Sequence, residues 1–135
     1  MKTNFLKSVV LALGISALVP VVKADDLPKP DFTVTARDIY AEFRPSIEKK
    51  DPSVKQKYTG KIVRITGVIK SNSSSLGGHE VELVANDATG AAFCGISSKA
   101  SSAVLKVEVG KEITLQCTST GWMVGPSFKD CVLVQ

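Results

Sequence analysis

The fold is decided at residues 60–70, which read GKIVRITGVIK. β-Branched residues dominate this stretch, and Val63, Ile65 and Ile69 fall on one side when every second side chain is taken. Gly67 interrupts the run, as a bulge or a sharp bend in a strand does. The stretch therefore predicts a bent β-strand with one buried face.

Further strands follow along the chain. Residues 80–85 alternate strictly between an apolar face and a face that carries Glu80 and Glu82. Apolar segments predict the remaining elements, which are strands at 91–96, 111–118 and 127–134, and a short helix at 98–107. Five strands with a helix between the third and the fourth are the layout of an OB-fold barrel, in the mainly β (α+β) class. A small open antiparallel sheet packed on an N-terminal helix is the alternative architecture.

A helix precedes the predicted barrel. The hydroxyl of Thr35 can cap it, Asp38 lies where a capping-box acid belongs, and apolar residues follow at helical spacing. Pro45 predicts the end of this helix. Asp51-Pro52 predicts the start of a second, short helix that ends near Tyr58.

Several short motifs are similar to those of a known family. They are Tyr58-x-Gly60-Lys61, Ile65-Thr66-Gly67-Val68, Val109-Gly110-Lys111 followed by Cys117, and Lys129-Asp130-Cys131-Val132-Leu133. From Thr35 to Leu133 the chain resembles the exported bacterial OB-fold group called tRNA_anti-like. The resemblance implies the OB fold and the cysteine positions, and it implies little about activity. One departure is Arg44-Pro45, which breaks a helical stretch that runs on in the family.

The first 24 residues have the three parts of a secretion signal. Two lysines supply a positive start, an apolar run follows at 9–19, and Val22-Lys23-Ala24 predicts cleavage before Asp25. As a helix the apolar run reaches only about 16 Å, which is short of the ~30 Å that a membrane anchor needs. We expect a signal peptide at residues 1–24, a tether at 25–34 and the OB-fold domain at 35–135. The mature protein is then expected in the periplasm or outside the cell, without a membrane span.

Removing the signal also removes most of the positive charge. The formal net charge is +4, and three of those charges belong to lysines of the signal, so the mature chain carries +1. The remaining excess lies in residues 44–64, which hold seven basic and two acidic residues. The candidate anion-binding residues are Lys49, Lys50, Lys55, Lys57, Lys61 and Arg64. A polyanion is disfavoured because the strand face on which OB folds stack bases carries Glu80 and Glu82, which repel phosphate.

All three cysteines lie in the mature part, which the signal directs to an oxidising compartment. Cys117 and Cys131 fall on strands that are antiparallel neighbours in an OB barrel, so a disulfide fits there. Pairing of Cys94 with Cys131 stays open, because the third and fifth strands are neighbours too. A cysteine left unpaired is expected to be a buried, inert thiol.

The loop before the last strand carries three consecutive apolar residues, Trp122, Met123 and Val124. OB folds contact ligands through this loop among others, and exposed apolar clusters mark contact sites. These three residues and Phe93, the one aromatic residue of the neighbouring strand face, are therefore the predicted partner-binding residues. The alternative is that Trp122 folds back and plugs the barrel mouth.

The sequence contains no recognisable catalytic motif. Its one histidine, His79, has no cysteine or histidine at metal-ligand spacing and is expected to be solvated. We therefore expect a monomeric, non-catalytic binding module for a protein, a peptide or a small ligand, with no cofactor and no metal. Binding of nucleic acid or another polyanion through residues 44–64 is the alternative.

Overall fold

The computed structural model describes residues 22–75, 77–86 and 89–135, so nearly all of the predicted secretion signal lies outside the described residues. Within these ranges the elements are β1 (Phe32–Thr35), α1 (Ala36–Glu48), α2 (Ser53–Tyr58), β2 (Ile62–Ser75), β3 (Gly78–Val84), β4 (Ala91–Ile96), α3 (Ser101–Leu105), β5 (Glu112–Trp122) and β6 (Pro126–Leu133). Over the same ranges, no helix has the length and the apolar character needed to cross a membrane.

The long strand β2 closes the barrel because its two halves pair with different strands. Residues 62–68 run antiparallel to β5, and residues 69–75 run antiparallel to β3. β3 continues to β4, β4 pairs in parallel with β6, and β6 returns to β5. The result is a closed five-stranded barrel of mainly β class with the OB topology, which confirms the predicted fold.

The bend in β2 lies where the strand changes partners. A Cβ atom on Gly67 would lie 3.0 Å from the Cβ of Ala36 and 3.1 Å from the Cβ of Leu83. The missing side chain therefore lets α1 and β3 pack directly on the bend. A register shift follows between Ile69 and Ser71, so the predicted irregularity of this strand is confirmed.

The barrel interior follows the predicted alternation. Val63, Ile65 and Ile69 of β2 are almost fully buried, and each of the other four barrel strands adds apolar side chains to the same cluster. α1 covers this interior with Ile39 and Phe43, which lie one turn apart on the same side of the helix. Its first turn is capped as predicted, since the hydroxyl of Thr35 accepts the N–H of Asp38 at 3.1 Å.

The segment before α1 is more ordered than the sequence predicts. A tether was expected at residues 25–34, but Phe32–Thr35 form strand β1, which pairs in parallel with β2. Asp31 fixes the entry to this strand, because its carboxylate accepts the N–H of Ile62 while its own N–H donates to the carbonyl of Ile62. Two prolines and three acids dominate the composition just upstream, and they obscure a strand of only four residues.

The end of α1 is a second difference. The sequence predicts that Pro45 ends the helix, but α1 continues through Pro45 to Glu48. A proline inside a helix removes one hydrogen bond, here to the carbonyl of Ala41. Ala41 and Pro45 are both exposed, so water can satisfy that carbonyl, while the buried side of the helix keeps its contacts.

Candidate ligand-binding site

The tip of the β5–β6 hairpin is the most exposed apolar feature of the described residues. Trp122 and Pro126 pair across the hairpin, and the N–H of Met123 donates to the carbonyl of Gly125 at 3.0 Å. Met123 and Val124 are each 76% exposed. The backbone of the tip is thus held in a closed turn that presents two apolar side chains to solvent.

Trp122 does not share the exposure of its two neighbours. Its half-buried ring packs against Tyr40 and Phe43 of α1, with ring centroids 5.5 and 5.7 Å apart. These contacts attach the hairpin to the helix that covers the barrel. The structure therefore places Trp122 where the alternative interpretation put it, folded back onto the barrel mouth.

Phe93 lies beside the base of the tip. It is half-buried on β4, directly opposite Glu82 of β3. Gly125 rests against this part of β4 so closely that an added Cβ would lie 2.2 Å from the carbonyl oxygen of Ala91 and 3.1 Å from the ring of Phe93. Only glycine allows this approach, and it sets Gly125, which directly follows Met123 and Val124 in the chain, against the ring of Phe93.

Carboxylates continue this surface along β3. Glu82 stands opposite Phe93 on one side and Ser71 on the other, and Glu80 stands opposite Gly95 and Ser73. Paired residues of adjacent strands point to the same side of a sheet, so these residues form one outward face. We call Met123, Val124, Phe93, Glu80 and Glu82 the tip surface. It is apolar at one end and acidic along its length.

Two residues of the predicted anion site, Lys57 and Arg64, contact other side chains of the fold. The ammonium of Lys57 lies 2.7 Å from the carboxylate of Glu42 and sits over the rings of Phe32 and Tyr58. The hydrogen bond to Glu42 raises the pKa of Lys57. Burial acts to raise the pKa of Glu42, but hydrogen bonds from Lys57 and Tyr58 outweigh it and lower that pKa. This cluster joins α1 to α2.

Arg64 likewise forms hydrogen bonds within the fold. Its guanidinium donates twice to the side-chain oxygen of Gln116, at 2.9 and 2.7 Å. Gln116 in turn donates to the carbonyl of Pro28, which holds the N-terminal segment against the barrel. Five members of the predicted anion site are exposed, namely Lys49, Lys50, Lys55, Lys57 and Lys61, and Lys57 is the one paired with Glu42.

The cysteines resolve the pairing that the sequence left open. Cys117 and Cys131 form a disulfide between β5 and β6, with their Cα atoms 4.1 Å apart, and Cys94 is a buried free thiol. Burial, and to a smaller extent the charge of Glu80, raise the pKa of Cys94. In this disulfide-bonded structure the thiol is therefore protonated at neutral pH, as expected for a buried, inert cysteine.

His79 contradicts its sequence interpretation, because it is buried rather than solvated. Its Nε2 contacts the side-chain oxygen of Asn72, whose amide nitrogen donates to the carbonyls of Val104 and Val107, both at 3.0 Å. Because the amide of Asn72 donates to both carbonyls, its oxygen is the acceptor and Nε2 of His79 carries the proton. Nδ1 has no partner among the described residues. This chain of contacts holds the end of α3 to the barrel.

Protonation of His79 is expected to destabilise the fold. Burial lowers its pKa in the folded chain from the ordinary value of about 6.5. As pH falls below that value the unfolded chain takes up a proton that the folded chain does not, so stability is complete at higher pH and declines toward acid. Melting temperatures between about pH 7.5 and pH 5 measure this effect. The variant His79→Gln can still donate to Asn72 but cannot titrate, so its melting temperature should fall less toward acid. Curves of melting temperature against pH that run parallel for the variant and the wild type would contradict the assignment.

The family comparison can now be set beside this geometry. The family described as tRNA_anti-like matches residues 5–134 of the chain. The chain belongs to the tRNA_anti-like family. In this tRNA_anti-like protein the shared fold is the OB barrel, and its loops and strand faces carry the features described above.

This tRNA_anti-like chain is similar to several solved structures. One is described as a "putative nucleic acid-binding lipoprotein" from Klebsiella pneumoniae subsp. pneumoniae, with a TM-score of 0.58 and 18% identity over 76% of this chain and 91% of that chain. Another, a "putative aspartyl-tRNA synthetase" from Leishmania major Friedlin, has a TM-score of 0.48 and 9% identity over 94% of this chain and 26% of that chain. The likeness to the Klebsiella structure shows the fold. The comparison with curated proteins gives no match.

Proposed function

We propose that the protein is a non-catalytic OB-fold module that binds a protein or peptide segment with an apolar anchor and cationic side chains. The observation that carries the proposal is the exposure of Met123 and Val124 on a hairpin fixed to the barrel. Covering apolar surface yields roughly 25 cal/mol per Å², and a fixed tip loses little conformational freedom when it is covered. A partner would therefore gain most of its affinity at this end of the tip surface.

The carboxylates define the charge of the preferred partner. Glu80 and Glu82 lie on the same outward face as Phe93, so a cationic side chain next to an apolar anchor would meet a complementary charge. Lys129 lies beside Gly95 and adds a single positive charge at the margin of this face. Polyphosphate chains would be repelled along the row of acids.

Nucleic-acid binding is the second candidate function. It is supported by the description of the Klebsiella structure and by the five exposed lysines of residues 44–64. It is weakened because Lys57 and Arg64 have partners inside the fold. It is weakened further because single-strand binders combine a basic groove with aromatic platforms, whereas Phe93 lies among acids.

Export is part of the proposal. The disulfide supports localisation outside the reducing cytoplasm, in agreement with the predicted signal. We propose that residues 1–24 are removed and that the folded module acts as a monomer in the periplasm or outside the cell.

The proposal predicts how binding of defined probes depends on the tip. Fluorescence anisotropy with a labelled peptide of alternating Lys and Leu is expected to show binding. The double variant Met123→Ser/Val124→Ser should weaken it at least about tenfold, because the apolar contact is lost. Glu80→Gln/Glu82→Gln should weaken it too and should flatten its dependence on salt.

Lys49→Gln/Lys50→Gln is the matched control, since it removes two exposed charges away from the tip surface. This control should leave peptide binding unchanged. A labelled single-stranded oligonucleotide tests the second candidate function. Tight, salt-sensitive oligonucleotide binding that the lysine variant abolishes and the tip variant leaves intact would overturn the proposal in favour of nucleic-acid recognition.

A further inference from the structure

The three cysteines of the chain converge inside the barrel. Cys94 comes from β4, Cys117 from β5 and Cys131 from β6, and their sulfur atoms all lie within 4.8 Å of one another. All three side chains are buried in the apolar core cluster. The spacing of the three cysteines in the sequence does not predict this cluster, because the cluster depends on the strand order of the closed barrel.

A shift of the disulfide onto Cys94 is the first chemistry to consider. Cys94 pairs with Phe128 across the parallel strands, and Cys131 pairs with Ile96. The two cysteines are thus offset by about two residues, or roughly 6.6 Å along the strand and 4.8 Å across it. Their Cα atoms are then about 8 Å apart, beyond the ~7 Å that a disulfide spans without movement of the backbone. A shift of the bridge to the Cys94–Cys131 pair is therefore excluded without movement of the backbone.

A metal ion does not have this limit, because it holds sulfur atoms farther apart than a disulfide does. With metal–thiolate bonds of about 2.3 Å, three sulfurs around one ion lie about 4 Å from one another. This separation falls within the 4.8 Å limit of the cluster. The two bridged sulfurs would have to separate by roughly 2 Å to reach it, so the site can exist only when the disulfide is reduced.

The number and the chemical type of the ligands indicate which metal the cluster would bind. Zinc in structural sites takes four ligands, and this cluster offers three within the described residues. Soft thiolates favour Cu(I), whose coordination shell three sulfurs can fill. We propose that the reduced chain binds one Cu(I) ion between Cys94, Cys117 and Cys131, and that formation of the disulfide closes this site.

The reaction balances with a dithiol as the reductant. The dithiol supplies two electrons and two protons to the Cys117–Cys131 bridge and leaves as its own disulfide. Cu(I) then binds the three sulfurs as thiolates, and three protons pass to solvent. The ion offsets one of the three negative charges, so the occupied site carries a net charge of −2.

The test is a Cu(I) titration of the purified protein against a chromophoric Cu(I) chelator, without oxygen. Dithiothreitol-reduced and desalted wild type is expected to take up one Cu(I) per chain, with three sulfurs seen by X-ray absorption, and the oxidised wild type is expected to take up none. Reduced Cys94→Ala should bind at least about tenfold more weakly, because one ligand is lost. Cu(I) should also raise the melting temperature of the reduced wild type, because it binds the folded chain in preference.

Three results would overturn the proposal. The first is equal uptake by the oxidised and the reduced wild type. The second is equal affinity of reduced wild type and reduced Cys94→Ala, which would show that the third sulfur contributes nothing. The third is a lower melting temperature with Cu(I), which would place the ion on the unfolded chain. This last readout also applies if the reduced chain or the variant is only partly folded.

Discussion

Removing the disulfide with Cys117→Ala/Cys131→Ala is expected to lower the free energy of unfolding by about 3 kcal/mol beyond the lost packing of its two sulfur atoms. The bridge joins residues 14 positions apart on adjacent strands, and its loss restores conformational freedom to the unfolded chain. The bridge joins β5 and β6, which are two of the five strands of the barrel. Urea unfolding followed by the fluorescence of Trp122 gives the midpoint and the slope from which the change is obtained.

Cys94→Ala is the control for this experiment. Cys94 is buried in the same cluster but forms no bridge, so its replacement removes only packing and should cost about 1 kcal/mol. A loss in the double variant no larger than twice that of the control would show that the bridge adds nothing to stability beyond the packing of its two sulfur atoms.

Trp122→Ala is expected to destabilise the fold by about 3 kcal/mol, at the lower end for an aromatic residue because the ring is half-buried. The ring packs on Tyr40 and Phe43 and joins the hairpin to α1. Met123→Ala is the matched control one residue along, and its side chain is mostly exposed. The control should change stability by less than about 0.5 kcal/mol. Thermal unfolding of both variants measures the difference.

This pair of variants also separates a structural role from a binding role for Trp122. If the ring holds the hairpin in place, Trp122→Ala lowers stability and weakens peptide binding together. A variant with unchanged stability and no binding would instead identify Trp122 as a contact residue, contrary to the packing described above.

The barrel could be predicted from the sequence because its signals are local. The alternation around Val63 and Ile65 defines a buried strand face without any knowledge of the partner strands. The choice between Cys94 and Cys117 as the partner of Cys131 was different. It depends on register, which a strand does not encode alone and which the closed barrel sets.

The features that sequence reasoning missed all depend on distant partners. β1 exists because Asp31 and the residues after it bind the edge of β2. His79 is buried because Asn72 and the end of α3 meet it, although its neighbours Gly78 and Glu80 are typical of an exposed strand start. A short strand and a lone polar residue carry too little local signal to predict such contacts.

The candidate site could be predicted only where its signal is local in the sequence. Met123 and Val124 lie at a hairpin tip, where the run of apolar residues in a loop predicted exposure. The occupation of Lys57 by Glu42 and of Arg64 by Gln116 could not be predicted, because those partners lie 15 and 52 residues away. The binding role of each of these residues stays a prediction until it is measured.

Amide chemical-shift mapping of the labelled protein with the Lys–Leu peptide tests the location of the site most directly. The account predicts that the largest changes fall on Phe93, Met123, Val124 and the backbone around Glu82, with little change in residues 49–61. Shifts concentrated in residues 49–61, and none at the hairpin tip, would contradict it.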